Sequence, residues 1–238
     1  MIEITKLSKK YRVSTDGSKS LSEFFAKSFR PKKEDDVWAL TDINIRVKEG
    51  ERVAILGHNG AGKSTLMGLI AGTLVPTSGE VEVKGSVVPL FGFSAGFDDR
   101  LSGADNLYLR AALFGLGREE TTALLPEIAA FAELEEYLHR PVLSYSTGMK
   151  ARLGFALSIQ LKADVYLLDE ALGAGDAQFR SKAWKALGER MKSHGTWIIV
   201  THNPTSIEPF CHRGYLLNKG RIAAEGPFQE IAALYQKG

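Results

Sequence analysis

Polar and apolar residues alternate from Ile2 to Leu7, the pattern of a half-buried strand. The alternation breaks after Tyr11. Residues 12–37 are polar and poor in β-branched side chains, with one apolar cluster inside. Strand character returns at Trp38-Ala39-Leu40 and at Ile43–Val47, and Glu49-Gly50 makes a turn. Val53-Ala54-Ile55-Leu56 is short and continuously apolar, as a strand covered on both faces must be. A glycine-rich loop and a helical stretch over residues 65–71 follow it. Gly79–Val83 reads as a further strand, and Val165–Leu168 and Trp197–Val200 as two more buried ones. Between them, residues 101–161 are rich in Ala, Leu and Glu and read as helical, punctuated at Gly115, Gly117, Pro126 and Pro141. Asn218-Lys219-Gly220, flanked by apolar triplets, predicts a hairpin.

Strands that alternate with helices predict an α/β fold. Its core sheet is mainly parallel, with an antiparallel β part and an inserted α-helical subdomain over about 98–160. The chain is read as one domain over 1–238, with residues 12–37 as an N-terminal insertion and no internal repeats.

Composition narrows this little. The 238 residues are 44% apolar and 24% charged, with a net charge of +2, which names no partner and gives no reason to expect nucleic acid. A lone cysteine, Cys211, cannot form an internal disulfide framework. Met1–Lys10 lacks the apolar centre of a signal peptide. No run approaches the ~20 apolar residues of a membrane span.

Gly57-His58-Asn59-Gly60-Ala61-Gly62-Lys63-Ser64-Thr65 carries chemistry. It satisfies G-x-x-x-x-G-K-[ST] at every fixed position, between a buried strand and a helix. Glycines let the backbone curl so that successive N–H groups face phosphate oxygens. The helix that starts near Lys63 turns its positive end to the same anion. Lys63 is placed for the β- and γ-phosphates of ATP and the Ser64 hydroxyl for Mg²⁺. Val165–Leu168 ends in Asp169 and Glu170. Asp169 is placed to hold Mg²⁺, directly or through water, and Glu170 is the candidate to polarise an attacking water. Thr201-His202 ends another strand; a lone histidine there is more often structural, but this edge is where open α/β sheets bind ligands. Leu143–Lys150 opens a long helix, and physics alone reads its Ser146-Thr147-Gly148 as a plain N-cap.

Together these segments resemble the nucleotide-binding subunit of ABC transporters, in chain order and across essentially the whole chain. Ser146 lies 23 residues before Asp169 (169 − 146) and His202 lies 33 after it (202 − 169), gaps like the family's. The resemblance implies a P-loop NTPase fold of ABC type and hydrolysis of ATP. Ser146, Thr147 and Gly148 then form the signature that touches ATP held by a second copy of the chain. Asp176 matches the loop that crosses the dimer interface, and His202 the residue at the γ-phosphate. Tyr11 sits where an aromatic stacks on adenine, with Trp38 as the rival.

Two departures stand out. The signature reads Tyr145-Ser146-Thr147-Gly148-Met149, and the glutamine expected before the helical subdomain is missing from Phe91–Asp98. Tyr-Ser-Thr-Gly-Met followed by Lys150–Ala156, and an Ala-Gly-Phe before Leu101-Ser102-Gly103, look like the polysaccharide-exporting branch. That branch moves O-antigen, capsule, teichoic acid or similar glycans, usually lipid-linked. The implied setting is a homodimer at the cytoplasmic face of the cell membrane, peripheral through two copies of a separate polytopic permease. Rival readings are an ABC ATPase for lipids or drugs, and a soluble ABC protein outside transport.

Within the insertion, Leu21, Phe24, Phe25 and Phe29 fall at i, i+3, i+4 and i+8, one face of a helix. From Lys6 to Lys33 nine basic residues stand against two acidic ones, Asp16 and Glu23. An aromatic stripe in a basic segment suits anionic headgroups or a membrane subunit. The chain stops soon after the hairpin, at Gly238, so glycan recognition is expected at this helix or in the permease rather than in an appended carbohydrate-binding domain.

Overall fold

The computed structural model describes residues 1–14, 34–169, 176–193 and 195–237. The insertion's Leu21, Phe24, Phe25 and Phe29 lie outside the described residues, as does Glu170.

Two sheets carry the fold. Strands β1 (Ile2–Ser14), β2 (Glu34–Val47) and β4 (Ser78–Val83) form an antiparallel sheet in the order β2-β1-β4. Strands β3 (Arg52–Leu56), β5 (Val87–Leu90), β6 (Val165–Asp169), β7 (Thr196–Thr201), β8 (Arg213–Asn218) and β9 (Arg221–Pro227) form the other, in the order β5-β6-β7-β3-β8-β9. All neighbours in it are parallel except β8 and β9. The expected mainly parallel core with an antiparallel part is therefore what the chain forms.

Side chains alternate across a strand, and the central strands use this to build two cores. Val53 and Ile55 of β3, Val165 and Leu167 of β6, and Ile198 and Val200 of β7 face one core. There they meet Ile2, Ile4, Leu7 and Ile43 of the antiparallel sheet. Helix α1 (Lys63–Ile70) fills the same layer with Leu66, Met67, Leu69 and Ile70. Ala54, Leu56, Leu168 and Ile199 face the other core. Helices α4 (Thr147–Gln160), α5 (Ala177–Ser193) and α7 (Phe228–Lys237) supply Phe155, Phe179, Leu187, Phe228 and Ile231 to that core. Each such aliphatic side chain, once fully buried, contributes about 1.5–3 kcal/mol. Helices α2 (Gly103–Leu113) and α3 (Arg118–Ala132) join α4 in the helical subdomain, and α6 (Pro204–Ile207) is a single turn after β7.

The structure corrects some boundaries. Residues 12–14 and 34–37, expected within the insertion over 12–37, lie in β1 and β2. The two strand segments at 38–40 and 43–47 are one strand, its ladder interrupted by register shifts opposite Leu7 and Lys9. Strand β5 was hidden by Pro89, which an edge strand tolerates because one side of its ladder goes unpaired. The hairpin is as expected: Lys219 and Gly220 have φ of +46° and +73°, the double positive φ of a tight two-residue turn.

Candidate functional site

Strand β3 is buried to its last residue, Leu56, and the chain leaves it into the glycine loop. Gly57 packs so closely on β8 that a Cβ would overlap the Leu217 carbonyl oxygen. Gly62 has φ of +105°, and a Cβ there would sit 2.6 Å from the Ala39 carbonyl oxygen and 2.8 Å from Leu40 Cδ2. Only glycine fits both the conformation and the space. Gly62 is the N-cap of α1, whose first turn no side chain caps. The positive end of the helix dipole therefore faces the loop's interior.

The loop is internally braced. Lys63 Nζ donates to the carbonyl oxygens of Gly57, at 2.6 Å, and His58, at 3.0 Å. The Ala61 N–H donates to the same His58 oxygen at 3.1 Å. The Gly220 N–H donates to the Ala61 carbonyl, tying the loop to the hairpin, and the Thr41 N–H donates to the Gly220 carbonyl, tying both to β2.

A cavity of about 520 Å³ opens above this loop. Its floor is the loop and the start of α1, from Asn59 to Thr65. One wall is Asp169 with Val200, Thr201 and His202; another is Val37, Trp38 and Ala39 of β2. Parallel register brings the walls together, because Leu56 pairs with Thr201 and Asp169 with Val200. Lys63, Ser64, Asp169 and His202, widely separated in sequence, thus meet at one sheet edge. Thr201 is buried; its hydroxyl accepts from the Asn203 N–H at 2.8 Å and donates to the Asn203 carbonyl at 3.1 Å. That turn leaves His202 exposed at the cavity rim.

This is the donor set of a polyphosphate site. An ammonium and a helix N-terminus are available to phosphate, while the Ser64 hydroxyl and the Asp169 carboxylate could offer two hard oxygens to a cation. Among the described residues no three His, Cys, Asp or Glu side chains gather to hold a metal alone. Two protein oxygens fit Mg²⁺, which keeps waters and takes the rest of its octahedron from phosphates.

Tyr11 does not belong to this cavity. It pairs with Val37, whereas Trp38 pairs with Lys10, one position along the ladder. Tyr11 lies beside Lys9, whose Nζ is 5.2 Å from its ring centroid. Trp38 lines the cavity and is 51% exposed, with Lys10 Nζ 5.6 Å from its ring centroid. Of the two aromatics, Trp38 and not Tyr11 lines this cavity. The insertion between the strands hid this, because it separates the two aromatics in sequence and leaves them adjacent in space.

The signature lies apart from the cavity. Ser146 caps α4, its Oγ accepting from the Met149 N–H at 3.2 Å. Ser146 and Thr147 are exposed, and neither they nor Gly148 line the cavity. Tyr145, in place of the common leucine, is structural: it is buried and its hydroxyl donates to the Tyr137 carbonyl at 2.6 Å. Burial pushes its phenol pKa up. Asp176 caps α5 by accepting from the Phe179 N–H at 2.9 Å.

Phe91–Asp98 leaves β5 through a tight turn in which the Ala95 N–H donates to the Gly92 carbonyl. No residue of this segment lines the cavity. It is instead locked to the helical subdomain. Arg110 of α2 donates to the carbonyls of Phe93 and Ala95, and its guanidinium lies 5.0 Å from the Phe97 ring centroid. Burial lowers the Arg110 pKa. At the segment's end, hydrogen bonds from Arg100 hold the Asp98 carboxyl down at about 2.

Residues 40–173 match the protein family described as ABC transporter. Over 234 residues the chain is 36% identical to the O-antigen export system ATP-binding protein RfbB of Klebsiella pneumoniae, covering 98% of this chain and 95% of that one. The chain belongs to the ABC transporter family. Another ABC relative is the teichoic acids export ATP-binding protein TagH of Bacillus cereus, 35% identical over 237 residues. That match takes in 99% of this chain and 42% of the relative, so the chain spans less than half of that protein. Among solved ABC cassettes, the dimeric post-hydrolysis MJ0796 bound to ADP and Pi superposes with a TM-score of 0.74 at 22% identity, covering 96% of this chain and 99% of that one. The likeness establishes the fold: an ABC cassette.

Proposed function

We propose that this chain is the ATP-binding and ATP-hydrolysing subunit of a transporter that exports a polysaccharide. One observation carries the substrate class. Relatives named for two different glycan polymers, O-antigen and teichoic acids, align with 98–99% of the chain at 35–36% identity. The glycan is proposed to be lipid-linked.

Lys63 and the N-terminus of α1 hold the β- and γ-phosphates, and Trp38 stacks on the base. Ser64 and Asp169 would hold Mg²⁺, which would supply charge neutralisation at the phosphates. Glu170 orients the attacking water and His202 meets the γ-phosphate from the rim. A second copy completes the site. The signature residues do not line the chain's own cavity, and its solved neighbours include cassettes described as dimers. Closing and reopening of that dimer moves a separate polytopic permease at the cytoplasmic membrane. No helix of the described residues is long and apolar enough to cross a membrane.

The test is co-purification with the candidate permease, followed by ATPase assay with lipid-linked glycans. Stimulation by a glycan-lipid supports the reading. A complex stimulated only by free lipids or drugs contradicts it.

A further inference from the structure

The last turn of the chain's final helix touches the phosphate loop. Helix α7 lies on β8 and buries Phe228 and Ile231. Gly214 lets it approach, with Ile231 Cβ only 3.3 Å from where a Gly214 Cβ would stand. Phe228, Ile231 and Tyr235 fall at i, i+3 and i+7, one stripe of the helix. The first two are buried in the core beneath the sheet, and Tyr235 packs half-buried against it. There the Tyr235 ring meets the His58 ring, with centroids 4.9 Å apart and planes inclined by 33°.

His58 is the second residue of the phosphate loop, and its main chain is central there. Its carbonyl oxygen accepts from Lys63 Nζ at 3.0 Å and from the Ala61 N–H at 3.1 Å. Its neighbour Gly57 is wedged against β8, so the loop's first turn is fixed on one side by backbone packing. On the other side, the only ring contact found for His58 among the described residues is with Tyr235.

We infer that Tyr235 is a positioning residue for the nucleotide site: its ring holds the His58 ring and so fixes the turn whose carbonyls seat Lys63. This deepens the ATP-binding role proposed above and rests on it. Tyr235 touches no phosphate in this scheme. Its effect is to lower the cost of ordering the loop when nucleotide binds, so its loss appears in affinity before it appears in turnover.

The experiment measures ATP affinity with a fluorescent ATP analogue, alongside thermal melting, for wild type, Tyr235→Ala, Tyr235→Phe, His58→Ala and the Tyr235→Ala/His58→Ala double variant. Tyr235→Ala is expected to weaken binding about two- to thirteenfold, the range of an aromatic pair worth ~0.5–1.5 kcal/mol. Tyr235→Phe, which keeps the ring, restores affinity. In the His58→Ala background, the further loss on removing Tyr235 shrinks toward none, because the two act as a unit. A melting shift of the same size in both backgrounds, with unchanged affinity, overturns the inference and leaves Tyr235 a packing residue. Equal affinity losses in both backgrounds overturn it too. If wild type itself fails to bind, the proposed function falls, a result separate from either of these.

Discussion

Single atoms decide the phosphate loop. Gly62 has neither room nor backbone freedom for a side chain, so Gly62→Ala strains a positive-φ residue and pushes its methyl onto Ala39 and Leu40. The expected cost is about 1–3 kcal/mol, read as a lower melting temperature together with lost ATP binding. Gly60 has φ of +80° but open space around it, so Gly60→Ala is expected to cost less. The two aromatics near the cavity give a sharper contrast. Trp38→Ala should weaken ATP binding by about 1–3 kcal/mol, the range of base–aromatic stacking, while Tyr11→Ala should leave the affinity near wild type. The reverse pattern in a titration would return adenine to Tyr11. Sequence made the loop legible because its residues are contiguous and their spacing is a mechanism in itself. It left the choice between Tyr11 and Trp38 open, because only the fold sets their places relative to the cavity and an insertion separates them along the chain.

Elements place these residues. Helix α4 is both a packing unit and the carrier of the signature. Its Gly154 lets the helix lie against the segment after β5, where a Cβ would overlap the Phe93 carbonyl oxygen. Ser146 has a structural duty as its N-cap and a proposed duty at a second copy's ATP. These separate by magnitude. Removing a serine cap costs about 1 kcal/mol of stability. Ser146→Ala is therefore expected to lower the melting temperature by a few degrees yet reduce ATPase turnover far more. A fall in turnover no larger than the stability loss explains would reduce Ser146 to a cap. At this scale the buried strands β3, β6 and β7 were legible from unbroken apolar runs. Helix α5 was not: its stripe, Phe179, Ala183, Leu187 and Met191, is thin and surrounded by charge. The contact of α7 with His58 has no sequence signal, since a strand, a turn and a helix must first fold for Tyr235 to reach the loop.

The whole molecule gathers Lys63, Ser64, Asp169 and His202 at the carboxyl edge of a parallel sheet and leaves Ser146, Thr147 and Gly148 on the surface elsewhere. The order of the strands explains the first half of that arrangement, because β6, β7 and β3 are neighbours although more than a hundred residues separate β3 from β6. A single chain thus carries its phosphate loop and its proposed signature at separate places. In the proposed reading, glycan export depends on partners: the permease and the segment that carries Leu21, Phe24, Phe25 and Phe29. Phe24→Asp with Phe25→Asp is expected to reduce glycan export in cells while sparing ATPase activity of the isolated chain; unchanged export would remove that segment from the account.

The central claim, that each ATP is held between two copies, is tested most directly by the mass of Glu170→Gln in solution with and without Mg-ATP, measured by light scattering. The account expects a monomer without nucleotide and a stable dimer with it, lost again when Ser146→Arg is added. A chain that binds ATP at saturation and stays monomeric, or a dimer indifferent to Ser146, would contradict it.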